Sequence, residues 1–572
     1  MMKRRLLSVL LTALVMSAHA AEADDEGGHG GGADSAAEQE TPTANVPKVE
    51  LSPGLLYEFL VAEIAGSRGQ MAVSADAYLD LAQRTRDPRV ARRAAEIAMF
   101  GRRYDVALEA ARLWSSLEPD AAQPRQTMIG LLTITGRSEE LAAHLAQQLQ
   151  TVGDNVGKAL LQMHRVLARH PDKAAARRIA YELTEPYTGL AEAHFARAQA
   201  SYAAGDRVAS LAETNRALSL RPNWEQAALL RAQLASGEAA GFLRDFLAAN
   251  PGAKDARAAY ARTLVSQKRY ADARQEFQTL LADNKDNNDA MYAVGVLSLQ
   301  LGDLDEAEKQ LKRLVETNHA EVNSARYYLG QIAEDRKKPE EALAWYGRVH
   351  SGNQYLPARM RMAHALAKQQ KLGQALHVLR ETTAANSQER VQLLVGEAQL
   401  LREAGRNQDA YAVLSKGLAE DADQPDLLYE TALMAERVGK LDVVESHLRR
   451  LIDLKPDHAH AYNALGYSLA DRNERLVEAE QLIDKALELA PNDPFILDSK
   501  GWILYRRGNA VGAVDVLKKA LSLRPDPEIA AHLGEVLWSL DRKDEARKTW
   551  RDAMKAHPDN EVLLGTVKKF EP

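Results

Sequence analysis

With 572 residues, 46% of them apolar and none of them cysteine, the chain is too long for one ordinary hydrophobic core and too apolar for a disordered one, so it is several domains or one elongated array. The missing cysteine excludes disulfides, thiolate nucleophiles, Cys-based zinc sites and lipid attachment behind a signal sequence. Of the formal charge of −7, residues 1–50 carry −4 (eight acids against four bases), which leaves −3 for the rest; a nearly neutral array has no basic footprint for nucleic acid.

The chain opens on Lys3, Arg4 and Arg5, an apolar run from Leu6 to Met16, and Ala18-His19-Ala20. This pattern predicts an export signal over residues 1–20, cleaved after Ala20. The run is too short to span a bilayer comfortably, so retention as an anchor is the lesser reading. A periplasmic protein that does not span the membrane is expected. Residues 21–50 are acidic and rich in Gly, Ser, Pro and Thr; they cannot offset the entropy of ordering and read as a disordered tether. His29, inside a glycine run, is a lone imidazole and no metal site, and the same glycines form no phosphate loop.

From Leu51 onward the sequence repeats. Small residues that open a second helix recur at Ala273, Ala307, Ala342, Ala375, Ala410, Val444, Ala479, Ala513 and Ala546, at intervals of 33 to 35 residues. Around Ala513 stand Gly501 as the small residue of a first helix, Gly508 in the turn, Ala520 seven residues on, and Pro525 at the close. Ala546 repeats this with Gly534, Ala553 and Pro558, and Ala479 does so with Gly466, Ala486 and Pro491. Small residues let two helices cross closely, glycine ends the first, and proline cannot continue the second. These landmarks resemble the tetratricopeptide repeat, whose unit is a helix-turn-helix of 34 residues.

Weaker units follow the same spacing on Ala75, Ala107, Leu141, Ala175, Ser210 and Ala240; the interval of 30 before Ala240 marks a shortened repeat near residues 225–252. The expected layout is a degenerate array over 51–252, a regular array over 253–558 and a capping helix over 559–572. In that last segment Val562, Leu563, Val567 and Phe570 fall at helical spacing. The resemblance implies an all-α, right-handed superhelical solenoid of about fifteen units. Such an array fills nearly all of the chain after residue 50 and leaves no room for a catalytic domain.

No HExxH, P-loop or GxSxG pattern occurs. Gly466-Tyr467-Ser468 comes nearest to the last of these and lies inside a predicted helix. His458 and His460, two residues apart, point in different directions on a helix and read as solvated surface. No enzyme, cofactor or metal is expected. The repeat family commonly turns the second, fifth, ninth and twelfth positions of each unit toward a concave groove that binds peptides or partner domains. The resemblance places Tyr292, Tyr327, Met360, His364, Tyr429, Asn463, Tyr467, Phe495, Asp498, Trp502, Tyr505, Glu535 and Trp538 there. Tyr and Trp suit such a groove because they join large area to a polar tip. Lys500 stands where the family has leucine, and the lysines of the carboxylate clamp for chaperone tails are missing beside Asn463.

Residues 459–560 are also similar to a group of large proteobacterial envelope proteins built from these repeats. One member type is a lipoprotein adaptor that binds a carboxyl-terminal processing protease and its cell-wall hydrolase substrates. That resemblance implies a periplasmic scaffold with such partners, although the lipidated cysteine is absent. A scaffold for exopolysaccharide export is the alternative.

Overall fold

The computed structural model describes residue 47 and residues 49–570. The segments read as signal and tether lie outside these, apart from the last residues of the tether. The described residues form 31 α-helices and two short 3-10 turns, with no strand. Thirty helices make fifteen consecutive antiparallel pairs, from Pro53–Ser67 with Met71–Thr85 to Pro527–Ser539 with Lys543–Ala556; Glu561–Phe570 follows alone. The all-α repeat expected from sequence is therefore present, and each of the fifteen landmarks falls in the second helix of one pair.

Local chemistry sets the ends of these helices. Several first helices start behind an Asp or Asn whose side chain accepts from a first-turn amide, as Asp87 does from Arg89, Asn287 from Ala290 and Asp493 from Phe495 and Ile496. Proline at the first helical position reinforces several starts, among them Pro88, Pro425 and Pro494. Between the two helices of most pairs one residue adopts a left-handed conformation. Gly205, Gly439 and Gly508 do so, but so do Arg102, Lys268, Lys337, Gln370, Asn473 and Asp541. The turn is thus more regular than the glycines that reveal it.

Packing follows one rule in five of the pairs. The landmark residue is buried, at 0% exposure for Ala307, Ala342, Ala513 and Ala546. The residue four positions on inserts against a first-helix glycine: Leu311 against Gly295, Tyr346 against Gly330, Ile483 against Gly466, Leu517 against Gly501 and Trp550 against Gly534. Burying such a side chain contributes about 1.5–3 kcal/mol. In the shortened pair, Glu225–Leu234 with Ala239–Ala249, the buried small residue is Ala239, one position before the predicted Ala240.

The array divides into two compact units, Met1–Arg313 and Leu314–Pro572. One apolar core in the first runs from Ala62 to Ala200, and one in the second from Leu356 to Ile503. At the C-terminal end, Leu563 is fully buried, and Val567 and Phe570 pack on the last pair; Val562 stays exposed. The Phe570 ring lies 5.9 Å from both Trp538 and Trp550, which stack on each other at 5.7 Å. None of the described helices is long and apolar enough to cross a membrane.

The glycine rule predicts opposite effects at two positions. A Cβ at Gly501 would lie 2.5 Å from Leu517 Cγ, whereas one at Gly130 would meet nothing within 4 Å. Gly501→Ala should cost about 1–3 kcal/mol through overpacking. Gly130→Ala should raise stability by about 0.5–1 kcal/mol through helix propensity. Urea unfolding followed by circular dichroism checks both signs.

Candidate partner-binding face

The side chains that the sequence places in a groove fall into three groups. Some are occupied by packing within the array. Tyr292 is 8% exposed, in the first compact unit. Tyr327, in the second, is 5% exposed; its hydroxyl accepts from Arg361 Nε at 3.1 Å, while Arg361 Nη1 donates to Glu334 at 2.6 Å. Half-buried Met360 lies on Gly396. Trp538 belongs to the terminal aromatic stack, with the cations of Lys543 and Arg547 5.6 and 5.4 Å from its ring. Glu535 accepts from Lys569 at 3.1 Å on the last helix.

Others stand apart. His364 and Phe495 are exposed, the latter beneath the Arg524 guanidinium at 4.9 Å. Lys500 is not a break in the pattern, because its ammonium is paired with Glu480 at 2.9 Å and Asp484 at 2.6 Å on the preceding second helix.

The remaining residues come together on the first helices Pro425–Arg437, Ala459–Asp471, Pro494–Arg506 and Pro527–Ser539. Asn463 and Asp498 each precede a crossing glycine by three residues; Tyr467 and Trp502 each follow one. Their backbones are held in register by Gly466 and Gly501, so these side chains form two parallel rows. His532, which sequence reasoning passed over, joins them. Its Nδ1 is 2.9 and 3.0 Å from the two Asp498 carboxylate oxygens, and its ring stacks on Trp502 at 4.4 Å and lies 6.2 Å from Tyr467. Tyr505 adds a ring 5.5 Å from Trp502, and the Arg506 guanidinium lies 5.9 Å from the same indole. Farther along the row, Tyr429 packs 5.3 Å from His458. The latter caps its helix, Nδ1 accepting from Ala461 at 3.0 Å, so it is a capping group and not merely solvated surface.

Two features mark this cluster. Trp502 is 6% exposed, yet its Nε1 donor has no hydrogen-bond partner among the described residues; Asn463 Oδ1 on the adjacent helix is likewise buried and unpartnered among them. Each such group costs about 1–3 kcal/mol of lost solvation unless something outside the chain satisfies it. The surroundings are also acidic. Burial pushes the Tyr467 hydroxyl above its ordinary value, and the charges of Asp471, Asp498, Glu436 and Glu528 push it further. Burial likewise raises the Glu430 carboxyl.

Nucleophilic chemistry finds no support at Ser468, whose Oγ is buried without a hydrogen-bond partner and so has no base to activate it. Among the described residues no group of three or more His, Asp or Glu side chains is placed to hold a metal ion.

Comparison with known proteins gives four findings. A family model for the tetratricopeptide repeat matches residues 225–289, 261–318, 292–351, 360–425, 429–494 and 499–561. A TPR repeat-containing protein of Pseudomonas aeruginosa is 35% identical over 485 residues, covering 84% of this chain and 82% of the relative. Cellulose synthase operon protein C of Pseudomonas fluorescens is 26% identical over 347 residues, 51% of this chain and 27% of that one. Among solved structures, the APC/C hetero-tetramer Cut9–Hcn1 aligns over 85% of this chain and 97% of its own, at 16% identity and a TM-score of 0.30.

The His532–Asp498 pair makes a titration prediction. Burial alone would lower the imidazole pKa, but the charge and hydrogen bond of Asp498, with Glu535 and Glu528 behind it, outweigh burial and raise it above 6.5. A folded pKa above the unfolded one contributes stability that is complete below about pH 6.5 and is lost as the pH rises through the folded value. Asp498→Asn removes the charge and should drop the His532 pKa below its ordinary value, as read by NMR titration of the imidazole carbon-bound protons.

Proposed function

Because the chain belongs to the tetratricopeptide-repeat family, a family of scaffolds for protein–protein interaction, we propose that it is a periplasmic adaptor. In this reading an extended segment of a partner protein lies across the first helices between Tyr429 and His532. The observation that carries the proposal is the unsatisfied pair, Trp502 Nε1 and Asn463 Oδ1. One is a donor and the other an acceptor, the complement of a peptide main chain, which presents both. Rings of Tyr467, Trp502 and Tyr505 supply apolar area beside them, and the acidic surroundings favour a segment that carries Lys or Arg.

The adaptor role rests on the repeat array, on the export signal read from residues 1–20, and on the similarity of residues 459–560 to envelope adaptors. Its partners are a carboxyl-terminal processing protease and the cell-wall hydrolases it cuts. The chain itself does no chemistry. A second reading, a scaffold for exopolysaccharide export, draws on the 26% identity to cellulose synthase operon protein C.

Two variants test this pair. Trp502→Phe keeps an aromatic ring but deletes the indole donor together with part of the ring system; Asn463→Ala deletes only the side-chain amide. Each should weaken partner binding about 2- to 10-fold, the worth of one hydrogen bond. Asn463→Ala should do so with no loss of thermal stability, because the deleted oxygen is unpartnered among the described residues, whereas Trp502→Phe also lowers stability through the lost ring area. The check is a crosslinked affinity pull-down of the full chain from periplasmic extract, with partners identified by mass spectrometry. Recovery of a protease and wall hydrolases, reduced in both variants, supports the adaptor; recovery of polysaccharide-export components moves the assignment to the second reading. Partners retained equally by both variants would remove this face from the account.

A further inference from the structure

The first compact unit contains a cleft of about 650 Å³ between the helices Ala122–Ile134, Ser138–Thr151 and Val156–Leu167. That volume is within the range of sites that enclose a small ligand or a short peptide. Its origin lies in the crossing rule. Every other pair has Ala, Ser or Val at its landmark, but this one has Leu141, which is fully buried. Twelve residues earlier, where Gly295, Gly330, Gly501 and Gly534 stand in their pairs, this pair has Ile129. Larger side chains thus stand at both positions where the pairs just named carry small residues. The space beside them is left open, as shown by Gly130, where a Cβ would meet nothing within 4 Å.

The lining of this cleft is one-sided in charge. Twenty residues line it and none is Asp or Glu, in a chain with more acids than bases. Arg125, Arg165 and Arg169 stand on its walls; Arg125 is oriented by donating from Nε to the Ala121 carbonyl at 3.2 Å and from Nη2 to the Asp120 carbonyl at 3.1 Å. The floor is apolar, with Leu145, Leu149 and Met163 all at 6% exposure or less. Gln126, Gln147, Gln148 and Gln162 complete the walls, and none of their amides bonds to another side chain or to the backbone among the described residues.

We propose that this cleft is a second binding site, for a short acidic peptide segment of a partner protein that carries aliphatic side chains. The three features select that ligand together. Guanidinium groups bind carboxylates in paired hydrogen bonds. Glutamine amides both donate and accept, which matches peptide main chain and gives nothing to a hydrocarbon tail. The apolar floor takes the aliphatic side chains. The chain's own acidic residues 21–50 are the poorer occupant, because they are dominated by Gly, Ala and polar residues that would leave the floor unfilled. The site does not depend on the face around Trp502, and the two can fail separately.

The test is fluorescence anisotropy on the full chain with a labelled hexapeptide of alternating Glu and Leu, and with its counterpart in which Lys replaces Glu. The acidic peptide should bind at least tenfold more tightly than the basic one and weaken with salt. Gly130→Phe plugs the cleft without a clash at the backbone, and Arg125→Glu with Arg165→Glu reverses its charge. Each variant should lose at least tenfold in affinity while keeping the parent melting temperature, and Trp502→Phe should leave the affinity unchanged. Equal binding of the basic peptide, binding that survives the plug, no binding at millimolar peptide, or preference for a fatty acid over the peptide would each overturn the proposal. Binding that emerges only when residues 21–46 are deleted would overturn it too, by assigning the cleft to the chain's own segment.

Discussion

The close crossing of two helices over a glycine is the contact on which the rest of this structure depends. Where Gly501 meets Leu517, or Gly534 meets Trp550, the absence of a single Cβ admits a whole side chain into the neighbouring helix. That contact sets how closely the two helices approach in the five pairs that have it, while the buried small residue of the second helix recurs every 33 to 35 residues over the regular array. Stability in such an array is a sum of neighbouring contacts, so no pair holds its shape alone. Beyond the fifteenth pair, Leu563 and Phe570 on the helix Glu561–Phe570 pack over its face, and Trp538 is drawn into that stack.

Function follows from what the crossing leaves over. Buried faces consume the residues that point between helices, and the first-helix positions next to the glycine are free to carry something else. In the second compact unit those positions hold Tyr467 and Trp502, with His532 stacked against the indole and Asp498 holding the imidazole. The result is an aromatic cluster in acidic surroundings, with a donor and an acceptor that find no partner among the described residues. In the first unit the rule is broken instead. Leu141 and Ile129 stand where other pairs carry small residues, and the cleft beside them is lined by arginines and glutamines and no carboxylate. One principle of packing, kept in one place and relaxed in another, yields two surfaces of opposite charge preference, which suits a molecule that brings different partners together.

Much of this was legible in the sequence because the crossing demands small residues at fixed spacing, and Ala and Gly at that spacing are hard to mistake. Turns were less legible: Arg102, Lys337 and Asp541 adopt the same left-handed conformation as Gly508, so a search for turn glycine finds only part of the series. The shortened pair shifted its buried alanine by one residue, since a count of 34 does not hold where both helices lose a turn. Among the groove candidates, spacing alone could not separate Asn463 and Asp498 from Tyr327, or Tyr505 from Trp538, whose positions in the repeat are equivalent and whose neighbours cover them. His532 was missed because it lies outside the family's groove positions. Only the pairing with Asp498, 34 residues earlier, brings it in, and an acid and a histidine one repeat apart was the available signal.

The central claim is that the first-helix face of residues 429–532 meets another polypeptide. The most direct measurement is site-specific photocrosslinking in living cells, with a benzophenone amino acid in place of Tyr505 on that face or of Val511, an exposed residue on the second helix of the same pair. The account predicts a discrete crosslinked partner from position 505 and none from position 511. Crosslinks from position 511 with none from 505 would contradict it.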